Sequence, residues 1–537
     1  DPVEEDFNDS NSQGGRLSLA WNATEWLDIE GSFYTASQEF NGINRSVRGN
    51  PYVNDSGRTA GKPPGSTDDF DVFNLVANVD LGFATLTASS AYLERDMLFW
   101  HEYSRELTGF IDFAFSFSQA DIGWPTDVGT INGIINRNRV ISEHTVHELR
   151  LVSKDEGPLR WTAGLFYKDA DDLYDFLLDA TTNPGREDFQ DDLVDILAPD
   201  DPDDVNGLDN LKHWAAYGEV SYDFTDQWTL TVGGRYSDLQ QQIANQADAG
   251  AEDTPFTPKV VLSWQPTDNV LTYASYAQGF RQGNVNRLFG AAAEEDLLED
   301  INANPPPTGE ELADLEARLQ VTRDNLTFES DLLHNYELGL KTSLWDGRAE
   351  LKTAVYYVLW EDLIQEFKHP VLIQQFPNDT YNENLGDAEI MGAELELSVA
   401  LPGGFFLSLG GDVNESEVQE GDLKGNELVF APNYSFNAGL DYSFALTRGI
   451  DMTVHGDIAY VGDQFANGQN DESRRIPAYH QANARVVLNS TTDTDWRATV
   501  FVRNLTNEAN LVNIADLQSD YFYTNPRTIG LQVGWNY

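Results

Sequence analysis

Apolar and polar residues alternate with a period of two along many segments of this chain. In 347–359, Leu351 and Val355 share one face, whereas Glu350 and Lys352 share the other. The same alternation recurs in 392–399, 451–460 and 484–503. Because successive side chains of a β-strand point to opposite sides, the pattern predicts strands with one apolar face and one charged face.

The connections between these segments fall into two length classes. Turns of roughly two to five residues alternate with loops of roughly 10 to 45 residues, and about 19 strands can be placed in this way. A long soluble β-sandwich is the alternative, but it would turn its charges outward and have loops of similar length at both ends. Short turns on one side and long loops on the other predict an all-β fold, a large antiparallel transmembrane β-barrel.

Composition supports the same class. Hydrophobic residues make up 41% of the 537 residues and aromatic residues 12%, which is too apolar for a disordered chain. The mean hydropathy is nevertheless −0.43, and the sequence contains no apolar run long enough for an ordinary membrane helix. A polar average with many aromatic residues and 42 glycines suits a barrel in which only alternate residues face lipid.

The charge balance excludes some partners. With 33 Lys and Arg against 89 Asp and Glu, the formal net charge is −56, so a nucleic-acid partner is not expected. The excess of acidic residues indicates either a strongly solvated surface or a surface that gathers cationic ligands. The chain has no cysteine, which removes thiol catalysis, disulfides and Cys-type zinc sites.

The two ends of the sequence differ in character. The opening segment DPVEEDFND lacks the basic start and apolar centre of a signal peptide, so we expect a removed leader or a beginning within a longer protein. At the other end, an alternating apolar series closes on an aromatic residue. The series is Ile529, Leu531, Val533, Trp535 and Tyr537. It is similar to the last strand that outer-membrane barrels present to their assembly machinery.

Four stretches carry a family resemblance. They are YASYAQGFRQGNVN (273–286), HNYELGLKTSLWDGRAELKTAVYYVLWEDLIQ (334–365), NLGDAEIMGAELELSVALPGGFFLSLGGDV (384–413), and VRNLTNEAN with PRTIGLQVGWNY (502–510, 526–537). In this order the chain resembles the C-terminal barrel of TonB-dependent receptors. The resemblance implies a 22-stranded barrel filled by an N-terminal plug. It also implies import of large scarce solutes, driven through a TonB box by an inner-membrane complex.

The sequence departs from that family before Gly14, where the plug, the TonB box and the first strands have no counterpart. We therefore expect residues 1–537 to be an N-terminally truncated barrel with about 19 of 22 strands. The resemblance implies TonB-dependent import of a ferric siderophore across the bacterial outer membrane. Alternatives are import of cobalamin, haem or carbohydrate, and a passive porin-type channel. The expected partners are outer-membrane lipids, TonB through the absent N-terminal region, and the solute, with the barrel as a monomer.

Charged residues on the predicted inner face are the main functional candidates. The positions are Glu148, Arg150, Glu337, Lys341, Glu350, Lys352, Glu394, Glu396, Arg485, Arg497 and Arg503. Charge inside a wide barrel must be hydrated or paired. These side chains therefore either contact a plug or solvate a channel, and their mixed signs favour paired ladders between strands.

A second candidate is the aromatic segment 99–125. Its predicted ligand-binding residues are Trp100, His101, Tyr103, Phe113, Phe115 and Trp124. Exposed aromatic side chains at this density favour a stacking surface for an aromatic chelator or a sugar. The alternative is that part of the segment is strand and aromatic girdle.

Two further outer segments have distinct compositions. Segment 170–211 is rich in aspartate, but its DPDDVNG stretch lacks the ligand spacing of a calcium loop, so a solvated acidic loop is predicted. Segment 309–320 has the pattern of a short amphipathic helix.

No catalytic, metal or cofactor site is predicted. His144 and His147 are three residues apart, which on a strand places them on opposite faces. His455 and His480 have no evident partner in the sequence. GxSxG, HExxH and P-loop motifs are absent from the sequence.

Overall fold

A computed structural model describes most of the chain. The described residues are 9–41, 65–102, 131–154, 157–182, 207–243, 250–286, 297–298, 300–303, 306–324, 327–367, 381–421, 423–492, 495–514 and 521–536. Most of them lie in β-strands, which agrees with the all-β prediction.

One large antiparallel sheet contains 20 strands. They are β1 (Ser10–Thr24), β2 (Leu27–Phe40), β3 (Gly65–Asp80), β4 (Ala84–Glu102), β5 (Ile131–Ser153), β6 (Leu159–Thr182), β7 (Gly207–Thr225), β8 (Trp228–Ile243), β9 (Gly250–Asp253), β10 (Phe256–Thr267), β11 (Val270–Arg281), β14 (Asp331–Leu344), β15 (Ala349–Glu361), β18 (Ala388–Leu401), β19 (Phe405–Val418), β20 (Tyr434–Thr447), β21 (Ile450–Val461), β24 (Tyr479–Ser490), β25 (Asp495–Arg503) and β28 (Thr528–Asn536).

The remaining described elements lie in the long connections. Four two-stranded sheets are formed by β12 (Asn284–Val285) with β13 (Thr327–Phe328), β16 (Ile364–Phe367) with β17 (Tyr381–Asn384), β22 (Gln464–Phe465) with β23 (Arg475–Ile476), and β26 (Leu511–Ile514) with β27 (Tyr521–Tyr523). The helix α1 (Glu310–Asp324) confirms the helix predicted for 309–320. Among the described residues, no helix combines the length and apolar character needed to cross a bilayer.

The large sheet is an up-and-down meander. Each long strand pairs antiparallel with the next, from β1 with β2 to β25 with β28. Strands β9 and β10 continue one register against β8 and are separated only by Thr254 and Pro255, of which Pro255 has no N–H to donate. The 20 strands therefore fill 19 positions, as the sequence pattern predicts.

The two ends of the meander are sheet edges in the described part of the chain. There, β1 pairs with β2 alone and β28 with β25 alone. Apolar side chains on both strands are strongly exposed, among them Leu19, Trp21, Ile529 and Leu531. The alternation predicted for 529–535 is confirmed in β28, whereas Tyr537 lies outside the described residues.

Connections alternate in length along the meander, so the sheet has a turn side and a loop side. On the turn side, residues 25–26 join β1 to β2 and 402–404 join β18 to β19. On the loop side, residues 282–330 join β11 to β14 and 362–387 join β15 to β18. This confirms the predicted asymmetry.

The pleat separates two faces, named here by what they carry. The apolar face has exposed large side chains: Leu75, Leu149, Trp214, Val232, Leu338, Val355, Leu395, Leu409, Leu440, Ile458, Val500 and Leu531. The polar face consists of the intervening positions. In an ordinary soluble sheet the apolar side would be covered, so a face this apolar and this exposed is expected to meet lipid.

Aromatic pairs mark both ends of the apolar face. On the turn side, the ring centroids of Trp228 and Trp264 are 5.6 Å apart. Nearer the loop side, Tyr276 lies 5.1 Å from Tyr336. Rings at both ends of an apolar band are typical of interfacial girdles.

Several strands extend beyond the segments that alternation alone predicts. The sequence pattern ends one strand at Leu93, yet β4 runs to Glu102, and β5 begins at Ile131 instead of near 147. The extensions do not alternate between apolar and polar positions, as the run Met97–Trp100 shows, and cross-strand ion pairs hold them. Arg139 Nε donates to Asp96 at 2.9 Å and Arg95 Nε to Asp68 at 2.7 Å. Apolar periodicity cannot mark a strand that lies beyond the apolar band.

The two faces should respond oppositely to a new charge. Leu338 lies midway along β14 on the apolar face and is 60% exposed, so Leu338→Arg should lower the free energy of unfolding by about 2–4 kcal/mol. Ser275→Arg, on the polar face opposite Glu337, is the matched control and should change stability little. The measurement is denaturant unfolding in lipid vesicles; equal losses in both variants would contradict the assignment of faces.

Candidate functional site

The polar face carries the charged residues predicted from the sequence. Strand register places all of them on the polar face, on the other side of the sheet from the exposed apolar side chains. They are Glu148, Arg150, Glu337, Lys341, Glu350, Lys352, Glu394, Glu396, Arg485, Arg497 and Arg503. The polar face is therefore the candidate functional surface.

Some of these charges pair across strands. Lys352 Nζ donates to Glu396 at 3.1 Å, and Lys259 Nζ donates to Glu219 at 2.9 Å. Lys341 Nζ lies 5.5 Å from the centre of the Tyr273 ring. Each pair is well exposed, so its contribution to stability is small.

A tyrosine on the polar face braces three neighbouring strands. Tyr356 on β15 lies directly opposite Gly392 on β18, and its ring occupies the space that a Cβ at Gly392 would fill. The phenol reaches β19, where it donates to Asp412 Oδ2 at 3.0 Å. Glycine is required at position 392 because the ring crosses that strand.

The same arrangement recurs twice. Tyr217 crosses Gly164 and donates to Glu148, and Tyr273 crosses Gly339 and donates to Glu337. Sequence analysis missed these braces. The available signal was a glycine within an otherwise regular strand, which often marks a close approach by a neighbour.

His455 lies between two carboxylates on the polar face. Its Nδ1 is 2.8 Å from Asp441 and its Nε2 is 3.1 Å from Asp457, which also accepts a hydrogen bond from Asn483 Nδ2 at 2.8 Å. Both ring nitrogens donate only when the ring is protonated. The sequence gives His455 no evident partner, yet Asp457 lies two residues further along the same strand and on the same face, and Asp441 comes from the neighbouring strand, whose register the sequence does not reveal.

The other histidines follow the alternation. His144 Nε2 pairs with Asp172 at 3.0 Å on the polar face, whereas His147 stacks on Tyr167 on the apolar face. Their predicted separation is confirmed. His480 also has a neighbour, Glu508, at 3.5 Å, which corrects the expectation that it has none.

A polar concavity of about 590 Å³ lies on the polar face of the last strands. It is lined by Asp457, Gln481, Asn483, Arg485, Arg497, Thr499, Phe501, Arg503 and Gln532, among others. Three arginines in one concavity are notable in a chain with a net charge of −56.

On the loop side, asparagine side chains tie one connection to the next. Asn286 Nδ2 donates to the Asn382 carbonyl at 2.9 Å, and the Asn382 N–H donates to Asn286 Oδ1 at 2.9 Å. Asn384 bonds in the same two-way manner with the backbone of Glu329. The connections after β11 and β15 are therefore held against each other.

Further contacts join other connections on the loop side, and these connections together are called the rim here. The Asn470 side chain exchanges two hydrogen bonds with the backbone of Glu427, at 2.7 and 3.0 Å. Close by, Arg475 Nε donates to Asp463 at 3.0 Å, and this guanidinium holds the pKa of Asp463 below its usual range. The connections after β19 and β21 are thus joined as well.

Asn504 organises the last connection. It is 1% exposed and has a positive φ of 50°. Its Nδ2 donates to the carbonyls of Glu508 and Asn525 at 2.8 and 2.9 Å, and its Oδ1 accepts from the Glu508 N–H at 3.0 Å. Asparagine tolerates this backbone region better than most residues.

A buried charge anchors the base of this rim. Asp331 is fully buried and accepts from Arg281 Nε at 2.8 Å and from the Ile364 N–H at 3.1 Å. Arg281 in turn lies 4.6 Å from the centre of the Trp360 ring. A buried carboxylate needs such partners, so this contact fixes β11, β14 and β16 relative to one another.

The predicted aromatic capture segment is described only at its start. Trp100 lies in β4, is 7% exposed and packs against Gly65 of β3. That position agrees with the alternative that part of the segment is strand. The side chains of His101, Tyr103, Phe113, Phe115 and Trp124 lie outside the described residues.

The acidic segment 170–211 is also described only in part. Its described ends belong to β6 and β7, and Asp209 accepts two hydrogen bonds from Gln241 Nε2, at 3.0 and 2.9 Å. The aspartates of 188–204 lie outside the described residues. Within the described part, no group of three or more histidines and carboxylates is arranged to hold a metal ion.

An antiparallel meander of 19 strand positions, with an exposed apolar face between aromatic girdles, defines a large transmembrane β-barrel. The comparison with known families identifies which barrel it is. The family model described as "TonB dependent receptor-like, beta-barrel" matches residues 5–505. The chain belongs to this family of bacterial outer-membrane transport receptors.

Individual relatives are more distant. An iron-regulated outer membrane virulence protein of Vibrio cholerae serotype O1 is 25% identical over 235 residues, which cover 43% of this chain and 31% of that protein. Among solved structures, the ferric yersiniabactin uptake receptor FyuA from Yersinia pestis aligns with a TM-score of 0.68 and 16% identity, over 98% of this chain and 70% of that one. BauA, the ferric preacinetobactin receptor from Acinetobacter baumannii, aligns with a TM-score of 0.67 and 15% identity, over 98% and 72%.

Removing one brace should loosen the barrel wall. Tyr356→Phe deletes the hydrogen bond to Asp412 and keeps the ring over Gly392, so we expect a loss of about 1.5–3 kcal/mol in the free energy of unfolding. Tyr442→Phe is the matched control, because Tyr442 lies on the apolar face and stacks on Phe405. An unchanged unfolding midpoint for Tyr356→Phe would show that the brace contributes nothing.

Asn504 should control the order of the last connection. Asn504→Ala leaves buried backbone groups without partners, an effect of about 1–3 kcal/mol, and should speed hydrogen exchange at the Glu508 amide. Asn433→Ala, at an exposed position with one long side-chain contact of 3.5 Å, should leave that amide unaffected. Equal exchange in wild type and Asn504→Ala would rule out this role.

Proposed function

We propose that this chain is the membrane barrel of a TonB-coupled receptor that imports a ferric siderophore. The family match over residues 5–505 carries the proposal. The iron-regulated Vibrio relative and the ferric siderophore receptors of similar fold support the ligand class. Haem, cobalamin and carbohydrate are the other solutes that such a barrel would import.

The width of the barrel supports an internal domain. A closed sheet of 16 to 18 strands already encloses an aqueous channel, and larger receptor barrels have a plugged lumen. A wall of at least 19 strand positions would leak small solutes unless the lumen were filled. We propose that a plug contacts the polar face at residues such as Glu148, Glu337, Glu350 and Lys352.

Ligand entry is proposed on the loop side. Asparagine contacts join the connection after β11 to the one after β15, and the connection after β19 to the one after β21, so these pairs of connections offer a fixed frame. Since Trp100 packs within the β3–β4 hairpin, the capture role is assigned to the aromatic residues that follow it, beginning with Tyr103. A Tyr103→Ala variant should then weaken solute binding more than Trp100→Phe.

Uptake of labelled iron tests the function. A strain that lacks the gene is grown under iron limitation, and the supernatant of its own culture supplies the siderophore. This strain should lose most ⁵⁵Fe uptake, and the wild-type gene should restore it. A protonophore should abolish the restored uptake, because import is coupled to inner-membrane energy. Uptake that persists with the protonophore would indicate a passive channel, and uptake unaffected by the deletion would reject an iron role.

A further inference from the structure

The apolar face of β15 to β21 contains a hollow of about 600 Å³. Its floor lies where three neighbouring strands carry small residues, Ala393 on β18, Gly411 on β19 and Ala438 on β20. Larger side chains such as Leu395 and Ile458 stand around this floor. The outside of a barrel is convex, so a hollow of this size is a local departure from its general shape.

Strand register explains why space is left here. Gly411 lies between Leu395 and Phe436, and Ala438 lies opposite Ile458. The ring of Phe436 leans over Gly411, where an added Cβ would meet Phe436 Cδ1 at 2.7 Å. The ring is thereby held towards β19, and the space beside Ala438 stays open.

The hollow extends along one row of directly paired residues. Thr353, Leu395, Gly411, Phe436 and Tyr460 lie opposite one another on β15, β18, β19, β20 and β21. Four strand spacings make this row about 19 Å long. Because barrel strands tilt by about 40°, a row across them changes depth by roughly 12 Å. The hydrocarbon of one leaflet is about 15 Å thick, so the row fits within a single leaflet.

The ends of the row indicate which leaflet this is. Tyr460 lies one residue from the loop-side end of β21 and stacks on Tyr434, with ring centroids 5.9 Å apart and 8° between the ring planes. At the other end, Thr353 also lines a second hollow of about 410 Å³, which continues to Trp228 and Trp264 on the turn side. The hollow of 600 Å³ therefore begins at the loop-side girdle, at the level of the outer leaflet.

We propose that this hollow binds one acyl chain of an outer-leaflet lipid. It is continuous with the face that meets lipid, and an unfilled hollow would leave its lining without contacts on one side. Tyrosine at an interface has an apolar ring and a polar hydroxyl group, so Tyr434 and Tyr460 would meet the ester groups above the chain. A second barrel fits less well, because two convex walls touch along a line and neither fills a hollow in the other.

The lipid site goes beyond the proposed function, since it lies on the outer wall and would be occupied whichever solute is imported. The hollow is already present between fixed strands, so binding requires little rearrangement of the protein. A lipid held there should exchange more slowly than the rest of the lipid around the barrel and should remain bound in detergent.

The test uses the full-length protein, extracted from outer membranes and passed through gel filtration in excess octyl glucoside, whose alkyl chain releases no fatty acid on hydrolysis. The fatty acid retained per barrel is measured by mass spectrometry. Residues 1–537 contain no cysteine, so Ala438→Cys provides one thiol in the floor of the hollow. Coupling this thiol to a methanethiosulfonate nitroxide fills the hollow and should release most of the fatty acid that the uncoupled variant retains.

Ala498→Cys is the matched control. Ala498 lies opposite Val533 on the apolar face of β25 and does not line the hollow, so coupling the same nitroxide there should release no fatty acid. Each variant is compared with itself before and after coupling, as a protein that is already folded. A difference in folding between variants therefore does not affect the comparison.

Equal release from the two variants, or fatty acid that stays bound after coupling at position 438, would overturn the acyl-chain site. Absence of retained fatty acid from wild type and both uncoupled variants would overturn it as well. A change from dimer to monomer on coupling, with fatty acid unchanged, would assign the hollow to a second copy of the chain. Iron uptake is not part of this measurement, so failure of either proposal leaves the other standing.

Discussion

Backbone hydrogen bonding between neighbouring strands is the constraint from which the other features of this barrel follow. In lipid, an unpaired N–H or C=O group costs several kcal/mol, so each strand must be paired along its length. The meander provides this from β1 to β28, and the interruption at Pro255 falls where the Ser237 N–H still finds the Pro255 carbonyl at 3.0 Å. Pairing of this kind fixes register, and register decides which side chains share a face.

Register then determines what the wall can do. The apolar side chains lie together on one face, and alternate positions are left free for charge, tyrosine braces and the arginine concavity. The braces depend on it directly, since Tyr356 crosses Gly392 only because the two residues are opposite each other. A shift of one residue would expose Leu338 to the polar side and bring Lys341 to lipid. A change of strand register on the polar face would therefore also disrupt the apolar face.

The sequence predicts those properties that are local and periodic. Alternation places Leu351 and Lys352 on opposite faces, and turn residues mark the short connections, so both agree with the structure. It does not predict what lies beyond the apolar band, and for this reason the ends of β4 and β5 differ from the expected loops. Partners across strands or connections are also hidden: Asp441 and His455, or Asn286 and Asn382, meet only after register is set.

Two kinds of contact stabilise the loop side, and they differ in their sensitivity to salt. From β3 to β6 the strands themselves project outward and are joined by exposed ion pairs such as Asp96–Arg139, which contribute little and weaken with salt. From β11 to β28 asparagine side chains bond to the backbone of neighbouring connections, and salt does not screen these contacts, although ion pairs such as Arg475–Asp463 occur beside them. The second half of the rim therefore depends less on exposed ion pairs than the first.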